Sequence, residues 1–249
     1  VVAKAAKLAC GDNATAVTAV SASLAQGERE QAEELAALIG IQHRIIETHE
    51  FEDPSYTANP SNRCYFCKTE LYTRLESMLP DLDVDVIVNG ANLDDRGDYR
   101  PGMQAAGEHA VRSPLIEAGL NKAEVRELAR EWQLPVWDKP AAPCLASRIA
   151  YGIEVTPERT TRVDRAEQFL RSEFGLRELR VRHEANDLAR IEVPVESLPQ
   201  LTQPENRSRI AAHFHELGFK YVAVVLDRFR SRSMNAVIPT ESLKMLRTS

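Results

Sequence analysis

Three of the four cysteines sit where sulfur or metal chemistry would need them. RCYFCKTEL (63–71) carries Cys64 and Cys67 in the Cys-x-x-Cys spacing of metal and dithiol sites. The spacing places Cys67 at a helix start, where the helix dipole favours thiolate. In KPAAPCLASR (139–148), Pro140 and Pro143 exclude a helix and leave Cys144 on a loop, with Arg148 offering a positive charge nearby. Three thiolates leave a structural zinc site one ligand short, but they suit a 4Fe–4S cluster with one iron free of protein. The alternatives are zinc completed by a histidine, dithiol or persulfide chemistry, and thiols that share no site. Cys10, at the end of a helical pattern, reads as a small buried residue.

A second constellation is NGANLDD (89–95). A strand ending in Gly90 and opening into Asn92, Asp94 and Asp95 lies at the carboxyl edge of a sheet, where open α/β folds bind ligands. Glycine lets a nucleotide approach the backbone, and the acids can reach a Mg²⁺ that bridges phosphates. An acidic turn that caps the next helix reads equally well. Arg180 and Arg182 stand two apart on a strand and share a face. Arg228, Arg230 and Arg232 repeat the pattern in DRFRSRS if that strand continues, with Ser231 and Ser233 as hydroxyl donors. Such forks suit bidentate phosphate recognition, against the alternative of a solvated basic face. Glu192 reads as a surface carboxylate rather than a metal ligand. His213 and His215 cannot share a helical face, His183 is as readily a strand residue as a base, and no Ser-His-Asp triad is assigned.

These residues need a frame to hold them. With 249 residues, 43% of them hydrophobic, the chain can bury one large core or two modest ones. ATAVTAV (14–20), QHRIIET (42–48) and VDVIVNG (84–90) read as buried strands, the last so continuously apolar that a sheet covered on both faces is expected. Between and after them, helices are predicted over 28–39, 66–78 and 122–132. Gly40 stops the first, and Asn121 with Glu124 caps the last. This alternation predicts an α/β fold with a doubly wound parallel sheet. The character changes near residue 150. Thr156-Pro157-Glu158 starts a helix, 176–183 and 188–193 pair as antiparallel strands, and a helix near 205–217 and a strand near 220–226 follow. Domains of 1–150 and 151–249 are therefore expected, the second a smaller α+β unit. Val1 opens partway along a helical pattern that Gly11 ends, so a segment upstream is expected to be missing from the sequence.

A net charge of −6 argues against non-specific nucleic-acid binding, and no apolar run reaches the ~20 residues of a membrane span. No signal-peptide pattern is present, and four cysteines are too few for a disulfide scaffold. A cytoplasmic protein without nucleic-acid or membrane partners is expected.

ANPSNRCYFCKTELY, NGANLDDRGDYRPG, VRSPLIEAGLNKAEVRELA, WDKPAAPCLASRI and FKYVAVVLDRFRSRSMN, in this order, resemble the LarE-type sulfur transferases of the PP-loop ATP pyrophosphatase superfamily. The resemblance runs the length of the chain. It implies a substrate that spacing cannot reveal: ATP adenylylates the carboxylates of pyridinium-3,5-biscarboxylate mononucleotide, and sulfur displaces AMP to give the thiocarboxylates of the nickel-pincer nucleotide cofactor of lactate racemase. One form of the family sacrifices a cysteine's sulfur and keeps dehydroalanine; the other holds a 4Fe–4S cluster on three cysteines. Cys64, Cys67 and Cys144 match the second, and Cys144 is the nearest donor under the first. The resemblance implies nucleotide contacts at Ser21, Gly90, Asn92 and Asp95, a substrate-phosphate site at Arg180, Arg182 and Arg230, and a trimer-based homo-oligomer, a trimer or a hexamer. The family's SGGxDS loop, which cradles the ATP phosphates, would lie just before Val1. As written, the chain is expected to bind ATP poorly. An ammonia-using PP-loop ligase, a tRNA-thiolating enzyme and an inactive nucleotide-binding module are the competing readings.

Overall fold

Regular structure begins with helix α1 (Val2–Cys10), which Gly11 closes at φ +61°. Strand β1 (Thr15–Val20), helix α2 (Glu28–Ile39) and strand β2 (Gln42–Glu47) form a crossover unit. The two strands pair in parallel from Thr15 opposite Gln42 to Val20 opposite Glu47. Gly40 ends α2 in the left-handed region, where its N–H reaches the carbonyls of Ala36 and Ala37. Then come α3 (Pro54–Thr57), α4 (Arg63–Leu82), α5 (Pro101–Glu108), α6 (Pro114–Glu117) and α7 (Lys122–Glu131). The remainder comprises α8 (Pro157–Phe174), β3 (Arg180–Glu184), β4 (Leu188–Glu192), α9 (Leu198–Thr202), α10 (Pro204–Glu216) and β5 (Tyr221–Val224). This is a computed structural model, and it describes residues 1–96 and 100–229.

The fold is mixed α/β with a parallel strand pair. Caps act where local chemistry asks for them. Asn121 Oδ1 accepts from the N–H groups of Ala123 and Glu124, and Glu124 returns a bond to the N–H of Asn121. Thr156 accepts from the N–H of Arg159, with Pro157 opening α8. In the second sheet, ordered β3-β4-β5, β3 and β4 are antiparallel and β5 joins β4 in parallel.

The segment 84–90 departs from expectation. It makes one parallel bridge, Val88 with Arg112, instead of a strand, and Val86 and Val88 are exposed. Among the described residues its backbone bonds reach only Arg112, through the N–H of Asn89 and the carbonyl of Ile87. An apolar run can demand burial, but it cannot by itself supply the neighbour a ladder requires.

The largest apolar cluster runs across residue 150. Tyr56, Leu145, Ala146 and Ile149 pack with Val163, Ala166 and Leu170 of α8 and with Val181 and Ile191 of the second sheet. A smaller cluster joins Ala36, Ile39 and Ile41 to Ala129 and Leu134. The large cluster underlies the cysteine loops and fixes them from beneath. Among the described residues no helix is long and apolar enough to cross a membrane.

Candidate active site around three thiols

Two segments frame the thiols. Asn59 precedes Pro60, takes a left-handed φ of +55° and is fully buried. Its Nδ2 donates to the carbonyls of Ala150 and Ile153 at 2.8 Å and of Ile149 at 3.3 Å, and its Oδ1 accepts from Arg63 Nη1. Helix α4 starts at Arg63, so Cys64 lies in its first turn and Cys67 one turn along. The helix therefore begins earlier than residue 66.

Cys144 lies opposite, on an extended stretch that turns into a short 3₁₀ segment, Leu145–Arg148. Leu145 donates its N–H to the carbonyl of Ser23 at 2.8 Å, tying this loop to the loop after β1. Ser23 Oγ in turn shares a 2.6 Å hydrogen bond with the buried Tyr56 hydroxyl. From below, Arg148 donates to the carbonyls of Pro143 and Cys144, while its Nε binds Glu167 Oε1 at 2.9 Å. The Arg148–Glu167 pair is buried, so this guanidinium is neutralised by α8 and acts as a brace for the Cys144 backbone.

The thiols act on one another. All four cysteines are free; Cys64 and Cys144 are exposed, and Cys67 is half-buried. Burial first, then the charge of Cys144, pushes the Cys64 thiol up, with Arg63 and Lys68 opposing. The same two causes, with Glu50 after them, push Cys67 up to about 12. Without a cation, the bare thiols of Cys64 and Cys67 are held protonated at neutral pH. Among the described residues no group of three or more His, Cys, Asp or Glu side chains is arranged to hold a metal ion.

At the end of β1, Ser21 Oγ donates to Glu50 Oε1 at 2.6 Å. Glu50 is buried, and its Oε2 has no hydrogen-bond partner. Gly90 is exposed, with nothing within 4 Å of the place a Cβ would take. Asn92 and Asp95 form a reciprocal cap on a short 3₁₀ turn, and Asp95 also pairs with Arg100 at 2.6 Å. Asp94 accepts from the N–H of Lys122 at the start of α7. The capping role foreseen as the alternative for this loop is thus occupied.

The arginine pair is engaged rather than solvated. Arg182 is buried, grips both oxygens of Glu192 and donates to the carbonyl of Ser147 at 2.7 Å. Arg180, also buried, lies over the Phe229 ring at 5.2 Å; burial, then the like charges of Arg182 and Arg148, lowers its pKa. Glu192 is a buried partner of Arg182 and Arg190, a correction to its reading as a surface carboxylate, because β4 faces it inward against β3. Strand β5 ends at Val224, short of Arg228, and Arg230, Arg232, Ser231 and Ser233 lie outside the described residues. Cys10 is exposed, not buried, since the last turn of α1 projects past its packing against α2. His183 is a buried strand residue.

No family model matches the chain. It is 47% identical over 237 residues to an uncharacterized protein of Synechocystis sp., covering 95% of this chain and 88% of that one. An uncharacterized protein of Methanocaldococcus jannaschii is 31% identical over 173 residues, 70% of this chain and 66% of its own. The pyridinium-3,5-bisthiocarboxylic acid mononucleotide synthase of Lactiplantibacillus plantarum is 34% identical over 232 residues, 93% of this chain and 83% of that synthase. The chain belongs to the LarE-type sulfur transferases. As a LarE-type chain it is an ATP-dependent sulfurtransferase of the PP-loop superfamily.

Several residues that build this LarE-type site were not singled out from the sequence: Ser23, Glu50, Tyr56, Asn59, Arg63 and Glu167. Two carried a local signal. Asn59-Pro60 is a turn dipeptide in which asparagine tolerates positive φ. Arg63 is a cation in a helical first turn that holds no acid, against the dipole. The others act through partners far along the chain, and no local pattern marks them.

Proposed function

We propose that this LarE-type chain uses ATP to adenylylate the carboxylates of pyridinium-3,5-biscarboxylate mononucleotide and exchanges AMP for sulfur, forming thiocarboxylates of the nickel-pincer nucleotide cofactor. The observation that carries the reading is the 34% identity, over 93% of the chain, to a synthase whose name states the bisthiocarboxylic product. In the first step a substrate carboxylate oxygen attacks the α-phosphorus of ATP, and the bond to pyrophosphate breaks. In the second, sulfur attacks the acyl carbon and AMP leaves with the electron pair of its C–O bond. A carboxylate is a poor acyl donor, so the adenylate supplies the leaving group, while the protein supplies alignment and charge.

Cys64, Cys67 and Cys144 are assigned to the sulfur site, with Arg148 bracing the Cys144 loop. The donor set fits a 4Fe–4S cluster in kind: three free thiols within electrostatic reach of one another, each able to bind a separate iron instead of sharing one ion. When bound there, such a cluster supplies sulfur at an iron that has no protein ligand. Ser21, Gly90, Asn92 and Asp95 are assigned to the nucleotide. The carboxylate of Asp95 is engaged by the N–H of Asn92 and by Arg100, and that of Asp94 by the N–H of Lys122, so they do not fit a dedicated Mg²⁺ site. Arg180, Arg182 and Arg230 are assigned to the substrate phosphate. The same reading takes 1–150 as a doubly wound PP-loop domain, 151–249 as a smaller substrate and oligomerisation domain, and the protein as a cytoplasmic trimer or hexamer.

One observation favours a second route. Cys144 is exposed on a loop, and among the described residues the thiols form no metal-holding group. In that route the Cys144 sulfur attacks the adenylate and expels AMP. Loss of the Cα proton then breaks the Cβ–S bond, leaving the thiocarboxylate on the substrate and dehydroalanine at 144. Anaerobic isolation of the full-length protein, with absorption and EPR spectra, iron and sulfide analysis, and protein mass before and after turnover, tests both. Bound iron and sulfide with an unchanged protein mass support the cluster route. A colourless protein that loses one sulfur at Cys144 supports the sacrificial route. No ATP-dependent thiocarboxylate in either case overturns the reading.

A further inference from the structure

The half-buried Ser21 stands just past the carboxyl end of β1, where the N–H of Thr48, after β2, bonds the carbonyl of Val20. A hydroxyl has one proton to give and two lone pairs to receive with. The proton of Ser21 goes to Glu50 Oε1 at 2.6 Å, and one lone pair accepts from the N–H of Ser23 at 3.1 Å. One lone pair is left. Glu50 gives the hydroxyl little freedom to turn. Its side chain is buried, its Oε2 has no hydrogen-bond partner, and Ser21 is the donor its Oε1 meets among the described residues. Rotating the Ser21 proton toward a ligand would leave a buried carboxylate with no donor, which is strongly unfavourable. The surrounding backbone is pinned as well. The Ser21 carbonyl accepts from Leu24, the Ser23 carbonyl accepts from Leu145, and Ser23 Oγ meets the Tyr56 hydroxyl. On the far side, the N–H of His49 bonds Glu70 on α4 and fixes the residue before Glu50.

We propose that Glu50 is a positioning residue that sets the hydrogen-bond polarity of the nucleotide site: by holding the Ser21 proton it makes Ser21 an acceptor, so this point takes a donor of the nucleoside and not a phosphate oxygen. The inference rests on the assignment of Ser21 to the nucleotide, and it adds which part of the nucleotide Ser21 meets. ATP carries two kinds of donor, the adenine amino group and the ribose hydroxyls. Phosphate oxygens, like the carbonyl of a hypoxanthine base, accept only. Placed at Ser21 they would face a lone pair, with a buried carboxylate behind it.

Analogues that exchange one donor for an acceptor test it on the full-length protein, with pyrophosphate release as the readout. ITP carries a carbonyl in place of the adenine amino group. The 2′-fluoro-2′-deoxy and 3′-fluoro-3′-deoxy forms of ATP carry fluorine in place of one hydroxyl. One of the three is expected to lose about tenfold in kcat/KM against ATP, the scale of a single hydrogen bond. A loss with ITP marks the base as the source of the donor, and a loss with a fluoro analogue marks the ribose. Glu50→Met removes the acceptor and lets the hydroxyl turn, so the same analogue should then lose about threefold or less. Glu50→Gln can present either its oxygen or its N–H to Ser21 and should fall between. A general drop that leaves the ratio of ATP to analogue unchanged, in whichever of the two variants folds, overturns the inference, because a merely structural role would give that result. Three analogues within about twofold of ATP in the wild type overturn it without any variant. The two failures are separable: no pyrophosphate from ATP itself sinks the adenylylation reading, whereas turnover of ATP with indifferent analogues sinks Glu50 alone.

Discussion

Replacing Glu167 by Gln removes one charge and almost no volume from the brace beneath Cys144. The carboxylate is 1% exposed and meets Arg148, 5% exposed, at 2.9 Å, so water cannot take over the lost interaction. Breaking a buried pair in this way costs about 3–5 kcal/mol, against about 0–1 kcal/mol for a surface pair. The amide oxygen still accepts from one donor, and Arg171, 41% exposed, can turn to solvent, which puts the expected loss at the low end, about 3 kcal/mol. For a chain of this length each kcal/mol lowers the melting temperature by about 2–4 °C, giving a drop of roughly 6–12 °C. Thermal melts by circular dichroism measure it. The double variant with Arg148→Met should regain part of the loss, because no unpaired charge stays buried. Hydrogen exchange across 143–149 should quicken in Glu167→Gln, since Arg148 bonds the carbonyls of Pro143 and Cys144. A melting point within about 3 °C of wild type, or a double variant no better than the sum of the singles, refutes the claim that this pair holds the loop.

His183 is buried, its Nδ1 lacks a partner, and burial, then Arg162 and Arg159, lowers its pKa. Above the unfolded pKa near 6.5 both states are neutral and the histidine adds no pH dependence; below it the unfolded chain takes up the proton first, so stability falls as pH drops toward the folded pKa. Urea unfolding between pH 5 and 8 should show that slope, and His183→Gln should flatten it; an unchanged slope would reject the assignment. Asn121→Ala should cost about 1 kcal/mol in the same assay, because both halves of its capping box are made; a loss below about 0.3 kcal/mol would mean that solvent replaces the cap.

Local chemistry made much of the frame legible. The bounds of α2 match the periodic stripe, and the start of α7 follows from the Asn121 and Glu124 pair, because a cap is decided within four residues. Thr156-Pro157 marked α8, and the two parallel strands followed from short β-branched runs. Partnership was not legible. Segment 84–90 had a strand's composition but only Arg112 to bond, and Glu192 looked like a surface acid until β4 lay against β3. Arg182 had the spacing of a phosphate fork, yet its guanidinium grips Glu192. The cysteines stood out in the sequence as candidates, while the residues that hold their loops, Asn59, Ser23 and Glu167, depend on contacts about 90, 122 and 19 residues away.

The threefold anchorage of the Cys144 loop has a consequence for biosynthesis. Its fastenings come from Ser23, from the stretch held by Asn59 and from Glu167 on α8. A nascent chain that has emerged only as far as residue 150 already displays all three thiols, yet it lacks the helix that steadies the last of them. The Cys144 loop should therefore settle only after α8, Pro157–Phe174, has emerged as well.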